Sequence, residues 1–207
     1  MKLAVITNDE LKEEFLSKQI PDYANVCFVK EPQNVPADTY IVFDLLFENT
    51  TDRIFLLKEF LPRPVFINAV AETLAEINQP FIRINAWPTF LKRSVIEVVA
   101  LPEQEQIMKK VFELLGWKFQ AVPDLTGMIS ARMIGMIINE AYFTLDQKVS
   151  TKEEIDIAMK LGTNYPYGPF EWCKKIGLKN IYDMLSRLSK KNISYEVSTL
   201  LTRETYV

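Results

Sequence analysis

The chain has 207 residues, with 24 Lys and Arg against 27 Asp and Glu, and a net charge of -3. No basic excess exists to neutralise phosphates, so nucleic acid is not an expected partner. There is no histidine, which removes imidazole bases, Ser–His and Cys–His nucleophile pairs and histidine metal sites. A chain of this length buries roughly 70% of its unfolded surface and needs no metal or disulfide staple. Cys27 and Cys173 lie too far apart in sequence for a clustered thiolate site, so no metal is expected and both read as buried, reduced thiols.

In chain order, Leu3–Thr7 reads as a short strand. Its apolar run is too short for a signal-peptide core or a membrane span, so the expected location is cytoplasmic, with no membrane partner. Asn8 or Asp9 can cap a helix through Lys18. Asn25–Lys30 is a second strand, and Thr39–Phe47 is apolar enough for a central strand buried on both faces. Thr51 or Asp52 opens a helix through Phe60. Pro64–Asn68 is a strand, Glu72–Ile77 a short helix, and Phe81–Asn85 and Ser94–Ala100 two more strands. Glu103–Leu115 is a helix with Ile107, Val111 and Leu114 on one face, stopped by Gly116. Lys118–Val122 reads as an extended link.

From there the pattern is helical. Gly127–Gln147 carries an apolar stripe wide enough for burial on more than one side. Ser150 with Glu153 fits a capping box for a helix over Lys152–Leu161. Pro169 sits at the first position of the next helix, which Gly177 ends. Lys179–Ser189 and Ser194–Thr202 complete the set. All six glycines lie at or after Gly116, while prolines punctuate the earlier part. Two domains are therefore expected: an α/β domain over residues 1–122 and a helical domain over residues 123–207.

Five ordered blocks stand out: Asp124–Arg132 (DLTGMISAR), Asn139-Glu140-Ala141, Glu154–Gly162 (EIDIAMKLG), Tyr165–Glu171 (YPYGPFE) and Gly177-Leu178. With their spacing they resemble the C-terminal helical domain of 3-hydroxyacyl-CoA dehydrogenases. More faintly, Ala37–Asn49 resembles the family's fourth-strand segment, and Asn85–Val99 aligns with the segment that carries its catalytic histidine and glutamate. The resemblance covers nearly the whole chain from residue 37 and is loose before it. It implies a truncated Rossmann-like domain with a mainly parallel sheet, followed by the family's all-helical domain. It further implies oxidation of a 3-hydroxyacyl-CoA with hydride passed to NAD, and a homodimer through the C-terminal helical domain.

Residue by residue, the carry-over is incomplete. Asn8 and Asp9 occupy the place of the glycine-rich pyrophosphate turn, with no glycine and with negative charge from Asp9 and Glu10. Glu31 stands where an acidic residue would meet the ribose. Asn85 takes the place of the histidine, and an amide cannot act as general base. Glu97 matches the family glutamate, either as a base itself or as a hydrogen-bond partner of Asn85. Ala131 replaces the substrate asparagine beside a retained Arg132, and Asn68–Ala71 lacks the family's serine. Asp156, in the first turn of its helix, is expected as a dipole partner or ion pair.

The expected site is therefore Glu97 and Asn85 as catalytic candidates and Arg132, Trp87, Phe90 and Arg93 as substrate-binding candidates. No cofactor is expected, or NAD if the family activity is kept. Whether the chain is an enzyme stays open. One reading is a dehydrogenase-like protein of acyl-CoA metabolism, impaired in hydride transfer but holding an acyl-CoA-type ligand. The other is a non-catalytic dimerisation or interaction module on the same fold.

Overall fold

A computed structural model describes residues 1–206, which fall into two compact units, Met1–Met128 and the part from Ile129 on. The first unit is a single seven-stranded sheet: β1 (Lys2–Ile6), β2 (Asn25–Val29), β3 (Ile41–Asp44), β4 (Val65–Ile67), β5 (Ile82–Ile84), β6 (Val95–Val99) and β7 (Lys118–Ala121). Their order is β2-β1-β3-β4-β5-β6-β7. Only the β5–β6 pair is antiparallel. This is the Rossmann-like, mainly parallel sheet the alternation of strands and helices implies.

Helices α1 (Asp9–Leu16), α2 (Thr51–Lys58), α3 (Leu74–Ile77) and α4 (Glu105–Leu115) complete the unit. Two buried clusters lie on opposite faces of the sheet. One gathers Leu11 and Phe15 of α1 with Met108, Val111, Phe112 and Leu115 of α4. The other gathers Leu57 of α2 and Ile77 of α3 with Ala4, Ile6, Val42, Val65 and Ile67. The first is largely aromatic. Phe43 stacks on Phe66 at 4.6 Å, Phe15 meets Phe43 edge-on at 5.4 Å, and Trp117 meets Phe15 at 5.1 Å. Pairs of this kind add about 0.5–1.5 kcal/mol beyond the area they bury.

The second unit is helical: α5 (Ser130–Asp146), α6 (Lys152–Thr163), α7 (Pro169–Ile176), α8 (Leu178–Ser189) and α9 (Thr199–Thr205). Ala131, Gly135, Ile138 and Tyr142 of α5 are buried with Phe170, Trp172 and Ile176 of α7 and with Ile181, Met184, Leu185 and Leu188 of α8. Asn139 fixes the last segment, donating to the Glu196 carbonyl at 2.8 Å and accepting from the Ser198 N–H at 2.9 Å. No helix among the described residues is long and apolar enough to cross a membrane.

Several local expectations are corrected. Lys118–Ala121 is a strand, not a link, paired parallel with β6 from Val95↔Lys118 to Val98↔Ala121. The buried face of α4 is Met108, Val111, Phe112 and Leu115, one step round from Ile107, Val111 and Leu114. α5 starts only at Ser130, because Gly127 and Met128 take left-handed conformations, and Met133 in its apolar stripe is exposed. The capping box before α6 is Thr151 with Glu154, one residue later than Ser150 with Glu153. The last helix is Thr199–Thr205, opened by Ser198, and Ile193–Tyr195 is a separate 3-10 turn. Cys173 is buried, but Cys27 is only half-buried; both are free thiols.

Candidate functional site

The catalytic candidates are brought together by the one antiparallel step in the sheet. Because β5 and β6 run in opposite directions from Arg83↔Val99 and Ile84↔Val98, Asn85 falls opposite Glu97. The Asn85 N–H donates to the Glu97 carbonyl at 3.1 Å. The Asn85 amide also donates to Glu97 Oε2 at 3.1 Å. Both side chains are buried, and Asn85 Oδ1 has no partner among the described residues. Glu97 is thus a hydrogen-bond partner of the Asn85 amide. An uncharged amide in this place has no proton to gain or lose at any ordinary pH.

Trp87 and Phe90 are core residues. Arg93 is exposed and lies over the Phe90 ring at 5.7 Å. Arg132, at the start of α5 in the second unit, stacks on Tyr195 at 5.8 Å.

The loop after β5 is fastened to α1 by a carboxylate the sequence reading passed over. Glu14, only 2% exposed, accepts from the Thr89 N–H at 2.6 Å and lies 3.9 Å from Lys92. Its Oε2 has no partner among the described residues. Thr89 is held at φ +81, in left-handed space that a β-branched residue rarely occupies. Burial pushes the Glu14 carboxyl above its ordinary range, against the opposing Thr89 N–H and Lys92 charge. A raised carboxyl stabilises fully at low pH, and that contribution is lost as pH rises through the folded value. Glu14→Gln is therefore expected to be more stable than the parent at pH 8, by on the order of 1 kcal/mol, and no more stable near pH 4. Thermal melts across that range check it; a gain that grows toward acid would contradict the assignment.

At the carboxyl ends of the strands, β1 is flanked by β2 and β3, so the chain leaves in opposite directions and a crevice is expected there. Two features occupy it. First, Asn8 Oδ1 accepts from the Leu11 N–H at 2.9 Å and caps α1, with Asp9 and Glu10 in the first turn. Second, the fully buried Asp44 at the end of β3 holds Arg53 of α2 by two bonds, Nε to Oδ2 at 2.7 Å and Nη2 to Oδ1 at 2.6 Å. Burial pushes the Asp44 carboxyl up, and the guanidinium opposes that shift. Glu31, the candidate ribose partner, lies 3.9 Å from Arg53 instead. A helix N-terminus attracts an anion through free N–H groups and its positive dipole end. Here one N–H is already taken, and two carboxylates oppose a phosphate.

Two further polar assemblies were not anticipated. Asn68, after β4, donates to the Leu45 carbonyl at 3.1 Å and accepts from the Ala86 N–H at 3.0 Å, tying the segments after β3 and β5 together. In the second unit a cavity of about 420 Å³ is lined by Tyr142, Lys152, Asp156, Phe170, Cys173 and Lys174, among others. Tyr142 donates to Glu204 Oε2 at 2.9 Å, and Lys152 donates to the same carboxylate at 2.7 Å. Burial pushes the Cys173 thiol up to about 11, so it is a poor nucleophile at neutral pH. Asp156 is a dipole partner, as expected, but of the neighbouring helix. It accepts from the Phe170 N–H at 2.8 Å and the Glu171 N–H at 3.2 Å and caps α7.

Residues 127–204 match the model of the 3-hydroxyacyl-CoA dehydrogenase C-terminal domain. This stretch belongs to the C-terminal domain of the 3-hydroxyacyl-CoA dehydrogenase family. A 3-hydroxyadipyl-CoA dehydrogenase of Escherichia coli (strain K12) is 43% identical over 67 residues, 32% of this chain and 14% of that protein. A probable 3-hydroxybutyryl-CoA dehydrogenase of Bacillus subtilis (strain 168) is 27% identical over 173 residues, 81% of this chain and 58% of that protein. The chain thus spans less than two thirds of either relative. The crystal structure of an (S)-3-hydroxybutyryl-CoA dehydrogenase from Ralstonia eutropha superposes with a TM-score of 0.71 at 18% identity, over 98% of this chain and 92% of that one. That likeness establishes the family's fold. The family blocks Asn139-Glu140-Ala141 and Tyr165–Glu171 serve this fold here: Asn139 clamps the last segment, and Tyr165 and Tyr167 pack on Trp172 at 5.4 and 6.1 Å.

Proposed function

We propose that this chain is a 3-hydroxyacyl-CoA dehydrogenase-like protein impaired in NAD-dependent hydride transfer that still holds an acyl-CoA-type ligand. The observation that carries the proposal is the Asn85–Glu97 pair. Taking hydride from a carbinol carbon requires a group that accepts the hydroxyl proton, and the amide at this position accepts none. Any residual chemistry rests on the Glu97 carboxylate, with Asn85 as its hydrogen-bond partner. The residues around α1 also fit a dinucleotide poorly. Asn8 occupies a helix N–H, Asp9 and Glu10 repel a pyrophosphate, and the Asp44–Arg53 pair fills the crevice end of β3.

The test is the thermal midpoint with NAD, NADH and acetoacetyl-CoA, each alone. A ligand present at 100 times its dissociation constant adds about 2.7 kcal/mol. The expected result is a shift with the CoA ester and none with either dinucleotide. A shift with NAD or NADH overturns the loss of cofactor binding, and a flat response to the CoA ester overturns the retained ligand.

One observation favours the second reading, a dimerisation module. Ile157 and Leu161, one turn apart on α6, are 53% and 84% exposed, and Val149 just before that helix is also exposed. A second copy of the chain covering this face would remove the cost of wetting it. Under that reading Leu161→Lys lowers the solution mass twofold, read by light scattering; an unchanged mass counts against it.

A further inference from the structure

We infer that the free edge of β2 is a self-pairing interface, on which a second copy of the chain adds its own β2 antiparallel about a twofold axis through Cys27. β2 ends the sheet, and its five residues, Asn25 to Val29, are half-buried or exposed. The hydrogen-bond parity is fixed by its inner neighbour. The Asn25 N–H donates to the Met1 carbonyl at 2.8 Å, and the Val29 carbonyl accepts from the Thr7 N–H at 2.9 Å. Backbone groups alternate sides along a strand, so residues 25, 27 and 29 face β1, and Val26 and Phe28 aim their N–H and C=O groups outward.

Those four outward groups are symmetric about Cys27. In an antiparallel pair with Cys27 opposite Cys27, Val26 falls opposite Phe28 of the second copy, and the two exchange both bonds. Cys27 then sits at a non-hydrogen-bonded position, where Cα atoms are about 4.5 Å apart. Charge follows the same symmetry. Exposed Asp22 precedes the strand and exposed Lys30 follows it, so the twofold brings the acidic end of one strand toward the basic end of the other. Within Asn25–Val29 there is no proline and no charge of the kind that blunts sheet edges, whereas β7 at the opposite edge carries Lys118.

The consequence is that two thiols face each other within disulfide reach, since bridged Cα atoms lie about 4.4–6.8 Å apart. The test uses the full chain in the Leu161→Lys background, which removes the helical-unit contact proposed above. Diamide supplies the oxidant: two thiols give up two protons and two electrons to it and form one disulfide. The expected result is a Cys27-linked dimer, lost in Cys27→Ser and kept in Cys173→Ser, with a light-scattering mass twice that of the single chain. Val26→Pro removes an outward N–H that β1 does not use, and it is expected to halve that mass. If Val26→Pro does not fold, the Cys27 cross-link decides alone. A Leu161→Lys protein of single-chain mass that gives no Cys27-linked dimer overturns the pairing, while leaving the helical-unit reading intact. A Cys27-linked dimer in a protein whose mass Leu161→Lys does not change supports the pairing and sinks the other reading.

Discussion

Arg83→Met is expected to cost about 3–5 kcal/mol, the range for removing one partner of a buried ion pair. Arg83 lies fully buried in β5. Its Nε donates to the Ala69 carbonyl at 2.8 Å, and Nη1 is paired with Asp124. Burial pulls the guanidinium below its ordinary value, with Asp124 opposing that shift. The same carboxylate accepts from the Leu74 N–H at 2.9 Å and the Ala75 N–H at 3.2 Å at the start of α3. Losing the arginine therefore leaves the Ala69 carbonyl without its donor and Asp124 without its cation. At roughly 2–4 °C per kcal/mol for a domain of this order of size, the midpoint of the first unit should fall by about 10 °C. Asp124→Ala should cost a similar amount, and the double variant should be non-additive by more than about 1 kcal/mol. Additive losses in denaturant melts would mean that the two residues act separately.

Gly168→Ala is expected to be the most damaging single methyl in the second unit. The φ of Gly168 is -76, so any residue tolerates its backbone. The obstacle is space. A Cβ there would fall inside the van der Waals envelope of the Asp156 Cα, Cβ and Oδ1. Part of that obstacle is backbone, which cannot swing aside, and the rest is the carboxylate that caps α7. Overpacking costs typically about 1–3 kcal/mol, and a lost cap adds about 0.5–2 kcal/mol. A total near 3 kcal/mol is expected in chemical denaturation. A control at Gly162, where a Cβ would meet nothing within 4 Å, should change stability little. Equal effects at the two sites would refute the close-approach argument.

The strand and helix alternation of the first unit was legible because each element carries its own local signal. Thr39–Phe47 is nearly all apolar, Asn8 caps α1 and Gly116 ends α4. What was missed is set by distance or by degeneracy. Lys118–Ala121 has one half-buried apolar residue, so nothing local marks it as a strand; β6 makes it one. Ser150 with Glu153 and Thr151 with Glu154 satisfy the same capping pattern, and sequence cannot choose between them. In α4 the Ile107 and Met108 stripes share Val111, and the sheet selects the second. Arg83 sits between Ile82 and Ile84 in a buried strand, and the sequence reading gave it no role. Its partner lies 41 residues on. The Asn85–Glu97 contact came from the family alignment, whereas the Asp44–Arg53 pair and the Glu14 fastening emerge only once the strands are ordered.

The placement of the indoles gives each unit its own optical reporter. Trp87 and Trp117 are buried in the first unit and Trp172 in the second. Indole emission moves to longer wavelength when water reaches the ring. With Trp87 and Trp117 replaced by phenylalanine, the remaining fluorescence reports on the helical unit alone. With Trp172 replaced, it reports on the sheet alone. Whether the two units melt as one cooperative body or in succession then becomes a question of two emission curves, recorded on proteins that differ only in which indole is left to shine.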